Sequence, residues 1–92
     1  MTAVSPQRVA FDAARVLVTA AGSDLCWWMS GEVGRCLGPG FEARLLETRL
    51  RLQREDAYYK EAGYWRVVLE EVLHDRPELV EGLYSVINPL LA

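Results

Sequence analysis

"FEARLLETRLRLQREDAYYKEA", residues 41–62, is the longest unbroken helical pattern in the chain, and the remaining elements must be arranged around it. Phe41, Leu45, Thr48, Leu52, Tyr59 and Ala62 fall on one stripe of a 3.6-residue wheel, while Leu46, Leu50 and Ala57 fall on nearly the opposite side. Two apolar stripes on one helix call for two packing partners. Glu47 with Arg51, and Asp56 with Lys60, are acid-before-base pairs at i,i+4, which suits solvated flanks between the stripes. Gly63 lowers helix propensity and either ends the helix or sits inside it. Tyr64, Trp65, Val68, Leu69, Val72 and Leu73 continue at helical spacing with the apolar direction rotated, so one continuous or kinked helix is expected from Phe41 to about His74.

Upstream, "SPQR" at 5–8 supplies a serine cap followed by proline at the first helical position, where its missing N–H is harmless. Val9, Ala10, Ala13, Val16, Leu17 and Ala20 then recur at three- and four-residue steps, and Gly22 suits a helix end. Ser23 can cap a second helix through "DLCWWMSGEVGRCL", with Leu25, Trp28, Met29 and Val33, and then Cys36 or Leu37, on the apolar side. Gly31 and Gly34 weaken that helix by about 1 kcal/mol each relative to alanine. With Ser30 they offer a small-residue surface opposite the tryptophans, and "GPG" at 38–40 ends the element. Downstream, "DRPE" at 75–78 resembles a capping box for a last helix that runs to about Ile87, where Asn88-Pro89 stops it. No β pattern and no internal repeat is present. The expected class is all-α: a single domain over 1–92, a bundle of about four helices with one long central helix, completed by dimerisation if the apolar excess is shared between copies.

That excess comes from composition. Ninety-two residues build a small core, yet 51% of them are hydrophobic, more than so short a chain readily buries. Some of them should cover an interface. Ten Lys+Arg against thirteen Asp+Glu give a net charge of −3, which offers no general attraction to nucleic acid or to an anionic membrane. Lys60 is the single lysine among the basic residues, a bias that reads as base composition. "VAFDAARVLVTAAG" is interrupted by Asp12 and Arg15 and preceded by Pro6, so no export signal is expected, and no run approaches the ~20 apolar residues of a bilayer span. Cys26 and Cys36 form no C-x-x-C pair, and ten residues along one helix place them about 15 Å apart. Free cysteines packed as small hydrophobes, in a cytoplasmic protein of bacterial or phage type, are the expectation.

Trp27 and Trp28 point about 100° apart on a helix, so only one of them can face a given core and the other is a candidate for a protein interface. "YYKEAGYW" at 58–65 adds Tyr58, Tyr59, Tyr64 and Trp65, read as a second interface strip in which each tyrosine keeps its hydroxyl wet. Ser30, Ser85 and His74 have no sequence context that suggests a catalytic triad, and a helix-turn-helix across Gly22 would offer DNA only Arg35.

Glu71-x-x-His74 in "EEVLH" is the i,i+3 unit that di-iron helical bundles use, and in this one spacing the chain resembles small ferritin-like subunits. The resemblance implies a metal-carboxylate site completed by a symmetric second copy, with Glu47, Glu55 or Glu61 as further ligands. Without it, His74 is a helix-end histidine favoured by the terminal carbonyls. The expected function is a non-enzymatic, cofactor-free protein-interaction module, an adaptor, accessory subunit or inhibitor, whose partner is a second copy or a larger complex. A dimeric metal protein and a small DNA-binding regulator are the alternatives.

Overall fold

Ser5 caps the first helix as its sequence suggests: its backbone is extended, its Oγ accepts the Arg8 N–H at 3.4 Å, and Pro6 fills the first helical position. The computed structural model describes residues 5–91, and among these every regular element is helical. The α-helices are α1 (Pro6–Ala21), α2 (Cys26–Leu37), α3 (Pro39–Arg54), α4 (Tyr58–Asp75) and α5 (Val80–Ile87), with 3-10 turns at Pro77–Leu79 and Asn88–Leu90.

The central element is α1, not the 41–74 segment. It packs against each of the other four helices, most extensively against α4. Its buried set is correspondingly broad, with Ala14, Val18 and Ala21 added to the expected positions and Val16 only half-buried. Ala10, Ala13, Ala14, Ala20 and Ala21 explain how so many neighbours fit, since a methyl group is the smallest side chain that still excludes water and keeps helix propensity. Beyond the exposed Pro6 and Gln7 of its first turn, only a narrow stripe through Arg8, Phe11, Arg15 and Thr19 stays exposed on this helix.

Residues 41–74 form two helices, and the break lies at Glu55–Ala57 rather than at Gly63. Glu55 is fully extended (φ −155°, ψ 164°), and Gly63 sits inside α4. The physical reason is a clasp between the two arms. Trp65 Nε1 donates to Thr48 Oγ1 at 2.8 Å, although seventeen residues of unbroken helix would separate them by about 25 Å. The second apolar stripe is split as a result: Leu50 is exposed and Leu46 half-buried, while Ala57 is buried at the break.

The α2–α3 corner consists of Gly38 alone, at φ 120°, a conformation that a side chain would strain. Beside it Gly34 underlies the Glu42 side chain, where an added Cβ would clash. At the other end, "DRPE" does not act as a capping box. Asp75 is the last residue of α4, and Pro77 holds Arg76 outside the helical region (φ −132°, ψ 72°). Arg76 instead donates to the Leu37 carbonyl at 3.1 Å and closes the end of α2, just as Arg49 donates to the Ala21 and Ser23 carbonyls, both at 2.9 Å, beyond the end of α1. Leu17, Met29, Val33, Leu45, Trp65 and Leu83 lie in one continuous core that all five helices share.

Candidate docking surface

Neither adjacent tryptophan enters the core. The inward face of α2 is Cys26, Met29, Ser30, Val33 and Leu37, and a face with that register leaves both residues 27 and 28 outside it. Trp27 is 67% exposed and Trp28 48% exposed. The expectation that one of the pair is core is therefore corrected. Cys26, expected as a free cysteine packed as a small hydrophobe, takes the buried place.

Trp65 is the opposite case. Expected on an interface strip, it is completely buried, against Phe41 with ring centroids 6.4 Å apart. Its indole N–H is satisfied inside a polar chain that crosses from α4 to α3. Thr48 Oγ1 accepts from Trp65 and donates to Glu61 Oε1 at 3.0 Å, and Arg51 clamps the same carboxylate through Nε (2.8 Å to Oε2) and Nη2 (2.9 Å to Oε1). Burial by itself would raise the Glu61 pKa, but hydrogen bonds from Arg51 and Thr48, with the Arg51 charge, outweigh burial and hold it below the ordinary carboxylate range. The same pairing raises Arg51. Glu61 is thus committed to the fold and is removed from the candidate metal ligands.

The tyrosines of the expected strip separate. Tyr64 turns toward α3, where its hydroxyl accepts from Arg44 Nη1 at 3.2 Å. Tyr58 turns toward α1, where its hydroxyl and Thr19 Oγ1 share a hydrogen bond of 3.3 Å. Tyr59 stands edge-on to Tyr58 at 5.3 Å and is 88% exposed, an unusual position for so large a side chain. "YYKEAGYW" is therefore not one strip but residues that serve three different faces.

What the fold brings together instead is a belt. A groove of about 840 Å³ between α2 and α5 is lined by Leu25, Trp28, Cys36, Val86 and Leu90. Leu25 and Leu90 also line a second concavity, of about 290 Å³, with Leu91, Val16, Arg15 and Tyr58. Arg15 and Tyr58 continue into a third, of about 300 Å³, between α1 and α4 with Phe11, Tyr59, Ala62 and Gly63. The three depressions share Leu25, Leu90, Arg15 and Tyr58, so one concave surface of mixed apolar and polar lining runs from Trp28 to Tyr59. Phe11, 42% exposed, lies between two guanidinium groups, Arg15 at 5.7 Å and Arg66 at 5.6 Å from its ring centre.

Leu25, expected on the apolar side of the second helix, is exposed, and Phe11, Leu90 and Leu91 are not expected on a docking surface from the sequence. One signal was available. Phe11 falls off the apolar stripe of its helix and shares the polar one with Arg8, Arg15 and Thr19, which is where a partner-facing aromatic would stand.

Glu71 and His74 are exposed and border a separate groove with Glu70 and Asp75. Among the described residues, no three of His, Cys, Asp and Glu stand close enough to hold a metal ion. Ser30 Oγ is buried without a partner, and Ser85 Oγ donates to the Glu81 carbonyl at 3.0 Å, so no hydrogen bond joins either serine to His74. Cys26 and Cys36 are both free. Cys36 is half-buried in the first groove, where burial raises its thiol pKa despite the lowering influence of Arg35 and Arg76, which leaves it a poor nucleophile.

Most of the arginines have structural work. Besides Arg49, Arg51 and Arg76, Arg8 pairs with Asp12, Arg35 with Glu32 and Arg66 with Glu70. No helix among the described residues is long and apolar enough to cross a membrane. Compared with models of known protein families, with curated proteins and with solved structures, the chain gives no match.

Proposed function

We propose that this chain is a non-enzymatic protein-interaction module, an accessory subunit, adaptor or inhibitor, that acts by laying the belt from Trp28 to Tyr59 against a protein partner. The observation that carries the reading is the contrast between a full core and an uncovered aromatic surface. The core already contains Trp65, Met29 and ten or so aliphatic side chains without exposure. Trp28, Phe11 and Tyr59 are not needed to fill it, and at roughly 150–250 Å² per aromatic side chain their exposed parts alone amount to about 350 Å². With the leucines between them, this approaches the apolar centre of an interface that buries about 800 Å² per partner.

Aromatic anchors in shallow pockets are the usual carriers of binding energy at such surfaces. Holding or masking a partner needs no reactive group; the belt's polar members are Arg15, Arg35 and Arg66, the Glu32 carboxylate, serine, threonine and tyrosine hydroxyls, and a Cys36 thiol whose pKa is raised.

The test is a double variant, Trp28→Ser with Tyr59→Ser. Both side chains are exposed, so helicity and melting midpoint should stay near wild type. Affinity-tagged wild type and variant are carried through the same capture and compared by native mass spectrometry. Association present in the wild type, whether with a second copy or with another protein, and lost in the folded variant supports the reading. Unchanged association, or collapse of the variant's fold, contradicts it.

A further inference from the structure

We infer that the α1–α4 groove is the part of the belt that takes an amphipathic helix of another protein, one whose apolar anchors are flanked by carboxylates. The inference rests on the docking reading above and specifies the chemistry of the partner. Phe11 and Tyr59 form the walls of the groove, and Ala14, Ala62 and Gly63 are its small residues.

Gly63 is the informative one. It lies in the interior of an eighteen-residue helix, is exposed, and a Cβ built on it meets nothing within 4 Å. Glycine there weakens the helix, and no contact among the described residues requires it. An incoming helix gives it a use: bare backbone lets two helices approach more closely than a side chain allows, and the apolar face of the visitor can settle between the flanking rings.

Charge selects the visitor. Arg15 and Arg66 both stand over Phe11 at the rim. Arg66 shares its charge with Glu70, while Arg15 has no ion-pair partner among the described residues. A net charge of −3 for the whole chain makes this rim a local exception. A second copy docked by a two-fold axis through this groove would bring Arg15 and Arg66 of both copies together, and like charges at close range oppose that arrangement. Carboxylates along the flanks of a foreign helix complement it. Phosphates of a nucleic acid or a bilayer surface would satisfy the guanidinium groups too, but they would leave the concave apolar floor unfilled.

Binding is measured by fluorescence anisotropy with the intact protein and four probes. These are a helical peptide with leucines at i, i+4 and i+7 flanked by glutamates, the same peptide with lysine for glutamate, vesicles of phosphatidylcholine with phosphatidylserine, and a short DNA duplex. The glutamate peptide should bind and the lysine peptide should bind at least about tenfold more weakly. Gly63→Leu should abolish peptide binding while helicity and melting midpoint hold or rise, and Arg15→Glu should invert the preference between the two peptides.

Equal binding of both peptides, unchanged binding by folded Gly63→Leu, or preference for vesicles or duplex each overturns the inference. The broader reading fails separately. If Gly63→Leu retains an association that Trp28→Ser destroys, only this groove is misassigned. If neither variant affects association, the docking surface itself is wrong.

Discussion

Replacing Thr48 by valine tests the clasp that turns the 41–74 segment into two helices. The side chain is fully buried, and valine has nearly the same shape, so no cavity is created and the effect is confined to the lost hydroxyl. That hydroxyl accepts the Trp65 indole N–H at 2.8 Å and donates to Glu61 at 3.0 Å. An unsatisfied buried N–H costs about 1–3 kcal/mol. Loss of one donor to Glu61 adds less than a full charged hydrogen bond, because Arg51 still holds both carboxylate oxygens. Together these give about 2–4 kcal/mol, which for a domain of this size lowers the melting midpoint by roughly 10–25 °C.

Circular dichroism against temperature and urea measures it, with Trp65→Phe and the double variant completing a cycle. Because Trp65→Phe removes the N–H that valine leaves unpaired, the double variant should cost less than the sum of the singles by about 1 kcal/mol or more. A Thr48→Val effect below about 0.5 kcal/mol, or additivity within that margin, would refute the clasp.

Three further outcomes follow from the same geometry. Glu61 has its pKa lowered in the folded chain, so its stabilising contribution is complete above the unfolded value, near pH 4.5, and is lost as pH falls through the depressed folded value. Glu61→Gln should therefore be less stable at neutral pH and should flatten the acid limb of urea midpoint against pH; an unchanged acid limb would show that the clamp is absent. Gly63→Ala should raise stability by about 0.5–1 kcal/mol in urea melts, since the added methyl meets open space on a helical backbone, and a loss would mean that the site is crowded. Arg49→Ala removes the only described side-chain donor to the Ala21 and Ser23 carbonyls and should cost about 1 kcal/mol or slightly more, read in the same way, whereas Arg54→Ala should change nothing measurable.

The parts of this fold legible in the sequence are those set by local rules. Ser5-Pro6 marks the start of α1, Gly22 its end and "GPG" the α2–α3 corner, because capping chemistry and backbone freedom act over a few residues. The break at 55–57 carries no glycine or proline. Its trace is fainter: after Leu52 the apolar stripe needs a residue at 55 or 56, and the chain supplies Glu55 and Asp56 there. Reading past that gap joins two helices into one and moves the centre of the fold away from α1.

The site was harder to read, since exposure depends on which face each helix turns inward. Nothing in "CWWM" itself says that Cys26 and Met29 turn inward with both tryptophans outside. Trp65 looked like a docking residue because aromatic clustering does not distinguish a buried indole from an exposed one. Its partner Thr48, seventeen positions earlier, could be paired with it only once the hairpin was known. Leu90 and Leu91 follow the Asn88-Pro89 stop as an apolar pair in the sequence, but their place beside Leu25 and Val16 is a tertiary fact.

The most direct test of the account is amide hydrogen exchange on the protein alone and in complex with the partner that the paired captures identify. Protection gained on binding should fall in residues 11–19, 25–28, 58–63 and 86–91, which carry the belt, and should spare the exposed Leu50 side of α3. Protection centred on α3, or on the Glu71 and His74 end of α4, would contradict the assignment of the belt as the docking surface.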